Sequence, residues 1–308
     1  MASKKRKTVL TNRMQGVRLS YNASDQAKYV RDLKRLVLGM IEKTEKSIIR
    51  LFEGGVASEF FAEDASISSK AKILLNKLSV HFESLFSEKA KKLAKGMVKR
   101  SEKASASSLT ESLSKFSLSA SMAKSLVENS GKASASSQTA YFDKLRSGIN
   151  LRAKTKSIDL HEIIKSSVNQ NVNLIKTIQF EYLSKVKSEV FRSITSGNGL
   201  KDLIPALESY KKITKRRARM IALDQTRKVF NNLNAERMIR AGINEFIWVH
   251  SASSQFPRKD HIAMDGNKYS FDNLPVIVKK TGERGIPGQA INCRCTMKPV
   301  YDFGENEQ

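Results

Sequence analysis

Cysteine is almost missing from this chain, with two residues in 308, Cys293 and Cys295. A disulfide between residues two apart is strained, so no disulfide framework is expected. Proline is scarce, and all five (Pro205, Pro257, Pro275, Pro287 and Pro299) lie in the last third, together with the single tryptophan, Trp248. The first 200 residues therefore lack the commonest helix breaker. No apolar run approaches the roughly 18–20 residues needed to cross a bilayer. The opening stretch MASKKRKTVL has basic residues but no apolar stretch or small-residue cleavage site after them. The expectation is a soluble chain, not processed by secretion and without a membrane partner. Acid is in deficit too: 30 Asp and Glu stand against 55 Lys and Arg, a formal net charge of +25 and a pI near 10.0.

Self-repulsion on that scale is tolerated best beside a polyanion. Nucleic acid fits better than an anionic membrane, because the amphipathic helices in this chain are also what an ordinary helical core needs. A basic protein without such a partner is the plainer alternative.

The chain changes character near residue 200. Before it, a stretch rich in Lys, Ser, Ala, Glu and Leu is compatible with long helices; after it, Pro, Gly and β-branched residues recur as they do around short strands and turns. Residues 1–24 read as a basic arm carrying Lys4, Lys5, Arg6 and Lys7. From Ser24, apolar residues at three- and four-residue steps predict a helix that stops at Gly54 and Gly55. A second follows with Leu74, Leu78, Phe82, Phe86 and Met97 on its apolar stripe, and His81 on or beside it. The hexamer KASASS occurs at 103–108 and again at 132–137, which predicts flexible Ser/Ala linkers around a helical element holding Leu109, Leu113, Phe116, Met122 and Leu126. Helical spacing returns over 159–196, where His161 sits in the opening turn with no obvious chemical partner. A short helix, KDLIPALESYKKI, and a long one from about Thr214 to Ala241 complete the series, with Gly242 suited to the C-terminal cap. Lys211, Lys212, Lys215, Arg216, Arg217 and Arg219 crowd the start of that long helix. There they oppose the helix dipole, a cost that a bound polyanion or an acidic partner would reverse.

Beyond Gly242, Phe246–Val249 reads as a strand, MDGNKYSF as a turn around Asp265 and Gly266, PVIVKK as a further strand and NCRCTMKPV as the last. The fold class is α+β: a mainly helical N-terminal two-thirds, then a small C-terminal module with a short antiparallel sheet.

In a strand, Cys293 and Cys295 would face one side while Arg294 points away. Adjacent sulfurs suit one metal ion. Zinc takes four ligands, normally Cys and His, and His261 and His250 are the imidazoles at hand, with Asp260 or Asp265 as oxygen donors. A single CxC lacks the second pair that marks zinc ribbons, so reduced buried thiols and a redox pair stay open beside zinc. His250, Asp260, His261 and Asp265 could also be drawn as acid/base partners or as ligands of a hydrolytic metal. There is no Gly-rich phosphate loop, HExxH or GxSxG element, and turn chemistry and ion pairing explain the same residues. No enzyme is expected.

RKDHIAMDG followed by PGQAINCRC, after Trp248 and the helix ALDQTRKVFNNLNAERMIRAGI, resembles the head morphogenesis domain of the phage Mu protein F-like minor head proteins. The family pattern falls on Arg227, Trp248, Arg258, His261, Gly266, Pro287, Gly288, Asn292, Cys293, Arg294 and Cys295, over roughly residues 160–300. Many members carry an acid shortly after the tryptophan. Here Ser254 or Gln255 stands at that place, with Asp260 the nearest substitute.

The resemblance implies a minor protein of a tailed-phage head, located inside the head near the portal and in the host cytoplasm during assembly. It would act in head assembly and in DNA packaging or delivery. The implied partners are the portal protein, phage DNA bound without sequence preference, and the major capsid or scaffolding protein. The expected organisation is a basic arm (1–24), a helical region with Ser/Ala linkers (25–150), a head morphogenesis domain (151–303) and a tail (304–308). Two other readings stay open: a metal-dependent nuclease or transferase using the His/Asp/Cys cluster, and a sequence-independent DNA-binding protein with no capsid role.

Overall fold

A computed structural model of the chain describes residues 13–54, 66–128, 160–240, 243–252 and 257–302. It has two compact units. One takes Asn22–Arg100 and Ile164–Thr226; the other takes Met1–Tyr21, Ser101–Ile163 and Arg227–Gln308. The fold class is the expected one, helical through the N-terminal two-thirds with a small antiparallel sheet module at the C-terminal end.

The first unit is built from helices. Helix α1 (Ala23–Phe52) begins where Asn22 turns its side-chain oxygen onto the backbone N–H groups of Ser24 and Asp25, at 2.9 and 3.4 Å. Asp25 in the first turn complements the positive end of the helix. Tyr29, Leu33, Val37, Met40, Ile41 and Ile48 form one buried face at helical spacing. The helix closes at Glu53, and Gly54 takes the left-handed conformation that glycine reaches without a Cβ penalty. From α2 (Ile67–Glu128) this unit takes residues up to Arg100, whose buried stripe runs through Leu75, Leu78, Phe82, Phe86, Ala90, Ala94 and Met97. Helix α3 (Leu160–Ser196) contributes Ile175, Ile178, Tyr182, Val186 and Val190.

Helix α4 (Leu200–Arg240) is a single element, whereas the sequence predicts a short helix and then a long one. Pro205 lies six residues in, so it removes only one bond near the start. Leu203, Leu207, Thr214, Ala218 and Ala222 stay buried at helical spacing across the expected break. A polar seam runs within the unit. The Tyr29 hydroxyl donates to Asn171 Oδ1 at 3.3 Å, and the Asn171 amide donates to the Ser167 carbonyl (2.8 Å) and to Gln225 Oε1 (3.3 Å). Burial pushes the Tyr29 phenol well above its ordinary value, so it remains a donor.

The second unit is centred on an antiparallel sheet of order β1-β6-β2-β3: β1 (Arg13–Gln15), β6 (Thr296–Asp302), β2 (Glu245–Val249) and β3 (Lys268–Ser270). Phe246 stands opposite Pro299 and Trp248 opposite Met297. Pro299 has no N–H to give, yet the β2 pairing survives, because a residue's N–H and C=O face the same neighbour. The Pro299 carbonyl accepts from Gly16 on the β1 side at 2.8 Å. A two-stranded ribbon, β4 (Val276–Val278) with β5 (Glu283–Arg284), and the short helix α5 (Lys259–Ala263) complete the module. Its core holds Leu19, Leu109, Phe230, Met238, Phe246, Trp248, Met297 and Tyr301, with both cysteines.

Three expectations are corrected here. Residues 13–20 are not a free arm: Arg13–Gln15 add a strand to the sheet, and Leu19 is wholly buried. Lys4, Lys5, Arg6 and Lys7 lie outside the described residues. The first KASASS copy is not a linker but a stretch of α2, and Ser101, Ser105 and Ser112 are buried along one helical face. Ser105 donates to Asn234 Oδ1 at 2.9 Å; Ser112 accepts from the Val17 N–H at 3.0 Å and bonds the Tyr301 hydroxyl at 3.1 Å. Small hydroxyl residues at helical spacing serve a close-packed, hydrogen-bonded seam, and the same composition marks linkers when read alone. The second copy, at 132–137, lies outside the described residues, as do Gly242 and the 304–308 tail; Leu113, Phe116, Met122 and Leu126 fall in α2, but their side chains lie outside the described residues. Finally, the cysteines precede β6 rather than lying in it, since the strand starts at Thr296.

Candidate functional site

The cysteines meet through a turn. Asn292 takes a left-handed φ of 58°, one of the few conformations outside glycine in which Asn is common, and the Cys293 N–H bonds back to the Ala290 carbonyl at 2.9 Å. The loop is held from three sides. Arg258 Nη2 donates to the Ile291 carbonyl at 2.9 Å, and Asn231 on α4 donates to the Cys295 carbonyl at 3.4 Å. Gly288, at φ 87°, passes so close to Asn231 that any Cβ there would sit 2.2 Å from its amide nitrogen. Both sulfurs thus end up together, as the sequence predicts, but by loop geometry rather than by strand alternation.

Short helix α5 brings the third member. His261 is 2% exposed, and its Nδ1 lies 3.4 Å from the Cys293 sulfur and 3.7 Å from the Cys295 sulfur. Its other nitrogen, Nε2, sits 2.9 Å from the Ile277 carbonyl, an oxygen that can only accept. Nε2 therefore carries a proton, and Nδ1 faces the sulfurs. That arrangement, one ring nitrogen pinned by a carbonyl and the other turned toward the sulfurs, is how metal-binding histidines are oriented. The Trp248 ring packs edge-on against the imidazole at 5.2 Å and 73°. The three donor atoms all lie within 4.8 Å of one another.

The cluster favours the ionised sulfur a metal needs. A hydrogen bond from the Cys295 thiol, with help from His261, holds the Cys293 thiol far below its ordinary value against the opposing effect of burial. The same bond and burial push Cys295 up, and the bond to Cys293 raises His261. These contacts favour ionisation of Cys293 ahead of Cys295, and binding a metal would release the remaining thiol proton. These residues could hold a metal ion.

His250, at the end of β2, joins through Cys295 alone, with Nδ1 3.5 Å from its sulfur. Neither nearby acid lies against the cluster. Asp260 pairs with Lys279 at 2.5 Å, and Asp265 accepts the His250 backbone N–H at 2.8 Å. A cavity of about 190 Å³ beside the cluster is lined by His250, Ser251, Pro257, Arg258, His261 and residues 291–295, with no carboxylate among the described lining residues. Ser254 and Gln255 lie outside the described residues.

The other motif residues build the frame. Arg227 is buried and stacks over the Tyr21 ring at 5.9 Å, and Trp248 is fully buried in the core. Gly266 takes φ 76° and donates to the Trp248 carbonyl at 2.9 Å, ending the turn into β3. Pro287 leads the loop into Gly288, and Arg294 lines the cavity between the two cysteines. Asn231 and Ile277, which position the cluster, carry no sequence signal: one reads as a polar helix residue, and the other acts through its carbonyl.

The cations at 211–219 lie in the middle of α4, not at its start, so the expected dipole penalty does not arise. Two are occupied within the helical unit. Lys211 bridges Glu45 (3.4 Å) and Glu208 (3.1 Å), while Arg217 meets Glu181 (2.8 Å) and Thr177 (3.1 Å). Lys212, Arg216 and Arg219 are exposed and Lys215 half-buried. Elsewhere, His81 lies 3.0 Å from the Lys43 ammonium.

A family model described as Phage Mu protein F like protein matches residues 184–298, a span that contains the whole cluster and every motif residue named above. An uncharacterized protein of Haemophilus influenzae is 32% identical over 163 residues, covering 53% of this chain and 35% of the relative, so the chain spans about a third of that relative's length. No solved structure matches. Residues 184–298 thus match a phage Mu F-like domain. Among the described residues, no helix is long and apolar enough to cross a membrane.

Proposed function

We propose that this chain is a minor head protein of a tailed phage, placed inside the head near the portal and acting in assembly and in DNA packaging or delivery. The match of residues 184–298 carries the reading. The net charge of +25 supports contact with packaged DNA, through phosphates and without sequence preference. Lys4, Lys5, Arg6 and Lys7 with Lys212, Lys215, Arg216 and Arg219 are the proposed contacts; Lys211 and Arg217 would have to leave acidic partners first. The role is structural, with the portal protein as principal partner and the major capsid or scaffolding protein as a further one. In the host cytoplasm the chain would be recruited to forming procapsids.

The metal that His261, Cys293 and Cys295 would hold is zinc, whose preference for thiolate and imidazole matches the donor set. It would supply folding stability to the module.

Quantitative proteomics of purified particles and procapsids tests the role. The chain should be present at a few copies per portal vertex. Its absence from both would remove the reading.

A further inference from the structure

We infer that His250 is the fourth ligand, so that the ion is a closed four-coordinate staple of two sulfurs and two imidazole nitrogens with no position left for substrate. The inference rests on the zinc reading and deepens it. With zinc–sulfur bonds of about 2.3 Å and zinc–nitrogen bonds of about 2.0–2.1 Å, a tetrahedral site has sulfur–nitrogen edges of roughly 3.6 Å. His261 Nδ1 meets the two sulfurs at 3.4 and 3.7 Å, already edges of such a tetrahedron. His250 Nδ1 meets the Cys295 sulfur at 3.5 Å, a third edge of the same length. Its nitrogen is not within the mutually close set, so the inference requires a rotation of this half-buried side chain toward Cys293 and His261.

The backbone holds His250 ready for that rotation. Val249 is paired with Thr296 and Trp248 with Met297, which ties the end of β2 to the strand the cysteines lead into. The Asp265 carboxylate fixes the His250 N–H from the other side. The chemistry of the cavity agrees. An open zinc position does work when a neighbouring base handles the proton of bound water. No described residue lining this cavity is a carboxylate, and Asp260 and Asp265 are bonded elsewhere. A closed site instead joins three separate segments: the end of β2, helix α5 and the loop before β6.

The test measures zinc affinity by competition with a chromophoric chelator, and the visible absorption of Co²⁺-substituted full-length protein, for the wild type, His250→Ala, His250→Cys and, as a remote control, His81→Ala. Wild type should bind one ion per chain. His250→Ala should lose affinity by roughly 10- to 100-fold or more, the lower figures being those typical of lost outer-shell partners. Its Co²⁺ spectrum should change, His250→Cys should restore tight binding with a shift toward a three-sulfur spectrum, and His81→Ala should match wild type. If wild type binds zinc while His250→Ala keeps the same affinity and the same Co²⁺ spectrum, His250 is not a ligand and the closed site is wrong, though the zinc reading stands. If His250→Ala does not fold, His250→Cys decides: an unshifted Co²⁺ spectrum overturns the inference. If wild type takes up neither metal, the zinc reading fails and this inference with it.

Discussion

The Thr296 hydroxyl donates to the Leu19 carbonyl at 2.7 Å, joining residues 277 positions apart. Gly16 and Leu19 add backbone bonds to Pro299 and Met297, at 2.8 and 3.0 Å, and Leu19 is wholly buried. The C-terminal module thus includes a piece of the N-terminus that the matched family span, 184–298, leaves out. Deleting residues 1–20 should destabilise this module by several kcal/mol, since it removes a strand and a core leucine. Thr296→Val should cost about 1 kcal/mol, the net worth of a buried hydrogen bond. Urea denaturation followed by Trp248 fluorescence measures both; an unchanged midpoint for the deletion would mean that the N-terminal segment is not part of the module.

The seam of small residues on α2 makes a second, position-specific prediction. Ser105 and Ser112 are buried against Asn234 and Tyr301, while Ser107, in the same hexamer as Ser105, is exposed. Ser105→Leu and Ser112→Leu should each cost about 1–3 kcal/mol through overpacking, whereas Ser107→Leu should stay within about 0.5 kcal/mol of wild type. Gly16 belongs to this seam, because a Cβ there would lie 2.6 Å from Ser112 Oγ and 2.9 Å from Pro299. Gly16→Val should rank with the buried serines. A flexible linker at 103–108 would instead tolerate the Ser105 and Ser107 changes equally.

Local periodicity is what makes part of this molecule legible in its sequence. The stripes of α1 and α2, the strand at Trp248 and the gathering of Cys293, Cys295 and His261 all leave regular spacing or a compact motif. What escapes depends on partners far along the chain. Ser105 looks like linker until Asn234 is set against it, and RMQ at 13–15 has no strand signal apart from β6. Pro205 and the run of cations suggest a break in α4 locally, yet a buried stripe continues through both and keeps the helix whole. His250 is legible as a ligand type, but Asn231 and the Ile277 carbonyl, which aim the cluster, are not.

The cations of α4 separate into two kinds that salt dependence can distinguish. If the proposed DNA contact is made through this helix, replacing Lys212, Arg216 and Arg219 together by Gln should lower DNA affinity for all sequences alike. It should also flatten the log–log salt slope by about 0.9 for each phosphate that is no longer neutralised. Arg217→Gln should instead act chiefly on stability, because its guanidinium is taken by Glu181 and Thr177. A triple variant with the wild-type slope would remove this helix from the proposed DNA contact.

Lys211 offers a pH test in the helical unit. Burial raises the Glu45 carboxyl above its ordinary value, and Lys211 opposes this by favouring the ionised form. A carboxyl raised in the folded state contributes stability that is present below the unfolded pKa and lost as pH climbs through the folded value. Lys211→Met removes the opposing charge and should raise Glu45 further, so the variant's stability should fall more steeply than wild type's as pH rises above the carboxylate range. Glu45→Gln in the same background should abolish the added slope. Parallel pH profiles for wild type and Lys211→Met would show that the Lys211–Glu45 pair, 3.4 Å apart, carries no energy in solution.

Trp248, the only tryptophan, packs edge-on 5.2 Å from His261 and so reports directly on the candidate metal centre. Under the zinc reading, adding a strong chelator should shift its emission and lower the unfolding midpoint of the C-terminal module. Metal held at about 1,000 times its dissociation constant contributes about 4 kcal/mol to the folded state. Chelation should also speed the reaction of both thiols with a thiol reagent, because zinc would mask both and, with each cysteine only 4% exposed, the reagent reaches them through opening of the destabilised module. Cys293→Ser should abolish the chelator response while leaving an emission close to that of the stripped wild type. Emission and midpoint that ignore the chelator, with both thiols slow to react in its presence, would establish Cys293 and Cys295 as metal-free core thiols held by packing against Trp248.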